Sequence, residues 1–229
     1  MKSSSRVILA LDFNDIQSSR SMINQTREFI DIYKLGLEFY LANGKAAIRQ
    51  IQKDFSGIEI FLDLKLHDIP NTVAGACKSL SDINPRFLTV HASGGAKMIR
   101  AAAQAVPNVA ITAVTILTSL DEQQMKAMGQ NSSIKELTLQ LARNAVSSGA
   151  TAIVCSPLEA SLLREELGKE ITLITPGVRP AGSERDDQER VMTPKQAIAA
   201  GADFVVVGRP ITKAINPMQA AEAITSSLA

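Results

Sequence analysis

Eight short runs rich in Val, Ile and Leu recur along the chain, each ending near a polar residue or a glycine. They are VILALD (7–12), FIDIYKLG (29–36), IEIFLDLK (58–65), RFLTVHAS (86–93), VAITAVTIL (109–117), ATAIVCS (150–156), EITLITPG (170–177) and ADFVVVGRP (202–210). Most are apolar at successive positions, so both faces need cover, as in parallel strands under helices. Helix patterns fill the gaps, and two have readable ends. Ser133 followed by Glu136 has capping-box spacing, Ile134, Leu137, Leu141 and Ala145 share a face, and Gly149 closes the segment. Thr193 and then Pro194 open another helix, which Gly201 closes. SGATAIVCS and AGADFVVVG therefore repeat one helix-to-strand junction. Eight alternating β and α units in 229 residues predict an α/β fold, a closed (β/α)8 TIM barrel forming a single domain over residues 1–229. A doubly wound open sheet competes, but no G-x-G-x-x-G follows the first run.

Composition narrows the ligand. Lys and Arg total 24 against 23 Asp and Glu, with no basic block, which argues against a nucleic-acid backbone or an anionic membrane surface and for a small molecule. Cys77 and Cys155 are too few for a disulfide scaffold and read as core thiols. Lys2 to Arg6 ahead of VILAL faintly resembles a signal peptide, but the apolar run is short and Asp12 ends it, so it is read as the first strand. No uninterrupted apolar stretch is long enough for a membrane span. The expectation is a soluble, cytoplasmic protein.

In such a barrel, functional residues come from the C-terminal ends of the strands and the loops after them. Asp12, Lys34, Asp63, Lys65, His91, Ser93, Thr118, Arg179, Gly208 and Arg209 fall there. The densest group is FLDLKLHDIPNT, Phe61 to Thr72. Strand alternation puts Phe61, Asp63 and Lys65 on one face, the two charges roughly 6.6 Å apart along the strand, and Asp68 follows just before Pro70. Lysines among the carboxylates of Asp12, Asp63 and Asp68 are expected to stay ammonium ions, suited to proton donation and electrostatic stabilisation rather than to Schiff-base chemistry. Near the seventh and eighth strands, Gly177 and Gly208 permit close backbone approach and Arg179 and Arg209 offer forks to phosphate oxygens. GVRPAGSERDDQER (177–190) reads as a mobile loop over the site. Plainer readings stand beside these. Asp63 and Lys65 alone would make a rim ion pair, Thr118 or Ser119 would cap a helix over DEQQMKAM, and Pro70 and Thr72 would start one. His67 and His91 read as structural, since no His and carboxylate set has ligand spacing; no metal is expected.

Together these motifs resemble the orotidine 5′-phosphate decarboxylase family over nearly the whole chain: ALDF, KLG, FLDLKLHDIPNT, VHASGGA, TAVTILTSL, TPGVRP-x-GSE-x-x-DQ-x-R and VVVGRPIT. Related keto-gulonate-phosphate decarboxylases share D-x-K-x-x-D but are expected to carry a Glu involved with Mg²⁺ where this chain has Lys34. The resemblance implies that Asp12 and Lys34 hold ribose hydroxyls. It makes Asp63, Lys65 and Asp68 the catalytic network, with Asp68 and Thr72 crossing a homodimer interface. Thr118, with Ser119, would lie by the pyrimidine, and Gln188 and Arg209 on the phosphate with Arg179 and Gly208 nearby. The implied reaction is conversion of orotidine 5′-phosphate to UMP and CO2 in pyrimidine biosynthesis, with no cofactor and no metal. Its alternatives are a metal-dependent sugar-phosphate lyase or epimerase on the same barrel, and a non-catalytic phosphate-ligand binding protein.

Overall fold

All five residues of β1 (Val7–Leu11) are buried, as a strand covered on both faces requires. In the computed structural model, which describes residues 5–179 and 192–228, the elements continue as α1 (Ile16–Thr26), β2 (Ile32–Gly36), α2 (Leu37–Asp54), β3 (Glu59–Leu66), α3 (Pro70–Ser79), β4 (Phe87–His91) and α4 (Gly95–Ala105). There follow β5 (Ala110–Val114), α5 (Glu122–Ala127), α6 (Ile134–Ser147), β6 (Ala152–Val154), α7 (Ala160–Leu167) and β7 (Thr172–Thr175). The chain ends with α8 (Pro194–Ala199), β8 (Phe204–Val207), α9 (Arg209–Thr212) and α10 (Pro217–Ser226). The strands form a closed parallel barrel in sequence order, sealed where Val7 and Leu9 of β1 pair with Val205 and Val207 of β8. Each predicted run matches one strand, β3 ending one residue past its run, and the closed barrel replaces the competing open sheet. Among the described residues no helix is long and apolar enough to cross a membrane.

Alternation along the strands makes two cores. Ile8, Ala10, Ile32, Phe61, Phe87, Ala152, Ile174 and Val206 fill the barrel, while Leu9, Leu35, Ile60, Leu62, Leu64, Leu88 and Val90 pack outward under the helices. At the N-terminal end the Arg86 guanidinium lies 5.2 and 5.0 Å from the Phe87 and Phe204 ring centroids and pairs with Glu59. These rings close that end.

The repeated junction is present twice. After α6, Ala150 N–H donates to Ala145 O and Gly149 to Val146 O; after α8, Ala202 donates to Ala197 O and Gly201 to Ile198 O. Gly149 and Gly201 take φ of 104° and 108°, a left-handed turn that side chains disfavour. The capping boxes at Ser133–Glu136 and Thr193–Gln196 are both formed. One of the plainer readings fails: neither Thr118 nor Ser119 caps α5. Asp121 does, in a box with Gln124, because a carboxylate adjacent to the first helical residue reaches the third amide directly.

β3 departs from regular pairing at its C-terminal end. Leu62 pairs with Leu88 and Leu66 with Val90, so four steps along β3 face two along β4. Lys65 lies inside this bulge with φ 48°. Since the surplus is two residues, the alternation of faces survives it.

Candidate active site

A cavity of about 560 Å³ opens at the C-terminal ends of the strands, a volume within the range of small-ligand sites. Asp12, Lys34, Asp63, Lys65, Thr118, Arg179, Gly208 and Arg209 all border it, so eight positions spread over nearly two hundred residues converge. Gln188 lies outside the described residues, as does most of the 177–190 loop. Asp68 and Thr72 are exposed and do not border the cavity. The Asp68 carboxylate accepts the Ile69 N–H at 2.6 Å, and Thr72 sits in the first turn of α3.

The charges form an alternating chain. Lys34 Nζ donates to Asp12 Oδ1 at 3.0 Å and lies 3.6 Å from Asp63 Oδ2. Lys65 Nζ donates to both Asp63 oxygens at 2.8 Å, and Thr89 Oγ1 donates to Asp63 Oδ1 at 3.0 Å. Burial alone would push the Asp63 carboxyl up, but Lys34, Lys65 and the hydrogen bonds from Lys65 and Thr89 outweigh it and hold it below the ordinary 3.8. Asp63 is therefore an anion, only 9% exposed, clamped by two cations. Gly36 leaves room for this: a Cβ there would come within 3.3 Å of Lys34 Nζ.

At the same mouth, Arg179 is anchored by its N–H to Met192 O and by Nη1 to Val178 O at 3.0 Å, and Arg209 opens α9 beside Gly208, where a Cβ would lie 3.8 Å from Asp12 Oδ2. The lining also has apolar members, among them Ile116, Val154, Cys155 and Val206. Burial pushes the Cys155 thiol far up, and the Cys77 thiol to about 11, which disfavours the thiolate at both; both are buried, as read from the sequence, although Cys155 also borders the cavity. His91 stands at the end of β4 with its ring 5.3 Å from that of exposed His67. Burial, then repulsion from His67 and Lys65, holds its imidazolium form below the ordinary 6.5 against the pull of Asp63. Neither His91 nor Ser93 borders the cavity.

Sequence reasoning passed over Thr89, Ile116, Val154 and Lys213. Thr89 had a usable signal: it lies two residues before His91, on the inward parity of β4. The apolar wall had none, since its residues look like any other strand core.

A barrel whose mouth gathers a charge network, two arginines and an apolar lining in one cavity defines a class of enzyme-like barrels built for a small anionic ligand. The chain belongs to the orotidine 5′-phosphate decarboxylase / HUMPS family, whose family model matches residues 5–224. It is 48% identical over 222 residues to the orotidine 5′-phosphate decarboxylase of Thermobifida fusca, covering 97% of this chain and 95% of that one. It is 45% identical to the orotidine 5′-phosphate decarboxylase of Anaeromyxobacter sp. strain K over the full length of both. A crystal structure of orotidine 5′-phosphate decarboxylase from Lactobacillus acidophilus superposes with a TM-score of 0.86 at 34% identity, covering 98% of this chain and 99% of that one.

Proposed function

We propose that this chain decarboxylates orotidine 5′-phosphate to UMP and CO2 without a metal or cofactor, serving pyrimidine biosynthesis. The observation that carries this reading is the Asp12–Lys34–Asp63–Lys65 chain of alternating charges, which shares one cavity with Arg179, Arg209 and an apolar lining. In this reading a nucleotide lies with its phosphate toward the arginines, its ribose hydroxyls at Asp12 and Lys34, and its pyrimidine against the apolar lining beside Lys65. Breaking the C6–carboxylate bond releases CO2 and leaves an electron pair on C6 in the ring plane, where ring resonance absorbs it poorly. The Lys65 ammonium stabilises that charge as it develops and then gives C6 its proton; solvent returns a proton to the amine. Stabilisation that grows toward the transition state raises the rate, and these groups are held in place before substrate arrives.

Lys34 also supports a metal-free reaction, because its ammonium already lies between the Asp12 and Asp63 carboxylates that a divalent ion would need. The proposed assembly is a homodimer in which Asp68 and Thr72 complete the partner's site. Their exposure, and that of Ile69 at 66% beside them, supports this, since an exposed apolar side chain between two polar ones suits a buried interface.

The test is the ultraviolet absorbance of orotidine 5′-phosphate mixed with purified protein, with and without EDTA, followed by identification of the product. UMP formed at the same rate in both is the expected result. Loss of turnover with EDTA would move the assignment to the metal-dependent sugar-phosphate enzymes; UMP binding without turnover would move it to a binding protein.

A further inference from the structure

We propose that Thr89 is a positioning residue that holds Lys65 in its working geometry by tying its backbone to the Asp63 carboxylate. The inference rests on the decarboxylase reading above and deepens it. Lys65 appears in the pairing register of neither β2 nor β4: the bulge has lifted it out of the ladder, and its φ of 48° is one that a non-glycine residue adopts at a cost. Such a backbone persists only where its surroundings impose it. The Thr89 hydroxyl does so, because Lys65 N–H donates to Thr89 Oγ1 at 2.7 Å while the same hydroxyl donates to Asp63 Oδ1 at 3.0 Å. A hydroxyl has one proton to give and lone pairs to accept with, so both bonds can form at once, and their directions are dictated by the partners. Thr89 is fully buried, on β4 beside Thr112 of β5, so water is not at hand to replace it. One side chain thus fixes the backbone from which the lysine extends and the carboxylate on which its ammonium rests. Thr89 itself does not border the cavity.

The experiment compares Thr89→Val, which keeps the shape and deletes the hydroxyl, with Thr89→Ser, which keeps the hydroxyl. Steady-state kinetics on orotidine 5′-phosphate, UMP affinity by calorimetry and crystal structures of wild type and both variants are the readouts. Thr89→Val is expected to lower kcat about 10- to 100-fold, the scale of a misplaced catalytic group, with KM and UMP affinity within about threefold. Thr89→Ser is expected to recover kcat to within about threefold of wild type. Wild-type kcat in Thr89→Val, or a loss in Thr89→Ser as large as in Thr89→Val, would overturn the role. Should Thr89→Val not fold, Thr89→Ala takes its place, since it removes the hydroxyl without setting a methyl against two polar groups. If the wild-type chain itself does not turn over, the decarboxylase reading fails by itself and the structures decide the positioning role. Lys65 keeping its positive φ and both contacts to Asp63 in the absence of the hydroxyl would overturn it.

Discussion

Lys65 serves the site through both its backbone and its side chain: the backbone sits in a bulge at positive φ, and the ammonium bridges both oxygens of a buried carboxylate. In the proposed reaction, replacing it with alanine removes the proton donor, and it leaves Asp63 with one fewer neutralising charge. Lys65→Ala is expected to lower kcat by at least about 10³-fold while calorimetry still detects UMP, because Arg179 and Arg209 are untouched. Near-normal turnover would sink the role. His91 offers a pH test. Its folded form gives up its proton more readily than the unfolded chain, whose imidazole titrates near the ordinary 6.5. The stabilisation is therefore complete above that pH and is lost as pH falls below 6.5 toward the folded value, where the native state must accept a charge that His67 and Lys65 repel. Urea midpoints should fall more steeply from pH 7.5 to 5 for wild type than for His91→Gln; equal slopes would remove His91 as the cause. At this scale the charged residues were legible, because a carboxylate and a lysine two apart on a strand share a face. Thr89 was legible only in part: its inward parity on β4 can be read, but its contact with Lys65 depends on the bulge beside it.

Helix ends were readable for a physical reason. A capping box or a left-handed turn satisfies backbone groups within a few residues, so its chemistry is written locally, as at Ser133, Thr193, Gly149 and Gly201. The α5 cap shows the limit: Thr118, Ser119 and Asp121 are all competent caps, and which one acts depends on where β5 releases the chain. Gly201 supplies a test. A Cβ there would meet Arg164 Cβ at 2.9 Å, whereas one at Gly168, also left-handed at φ 73°, would meet nothing within 4 Å. Gly168→Ala should cost about 1 kcal/mol from backbone strain, and Gly201→Ala about 2–3 kcal/mol with crowding added. Chemical denaturation measures both. Equal losses would mean that α7 yields to the added methyl and that crowding at Arg164 contributes nothing.

At the scale of the whole molecule, closing the barrel puts residues 12 and 209 at one mouth, and the proposed dimer would bring in Asp68 and Thr72 from a second copy. Subunit mixing tests that arrangement. Lys65→Ala and Asp68→Ala, each inactive alone, should regain about a quarter of wild-type activity when mixed and allowed to exchange: half the dimers are then mixed, and each mixed dimer holds one intact site. No recovery despite exchange would place Asp68 within its own chain's site. The sequence by itself determined the strands, the two marked helix closures and the residue types at the strand ends, because burial on both faces, capping and alternation act over a few residues. Only the tertiary structure decided which of those ends meet, that Lys34 lies between Asp12 and Asp63, and that Thr89 holds Lys65. Those contacts join positions 22 to 29 residues apart or more, and their geometry depends on strand register and a bulge that no local pattern encodes.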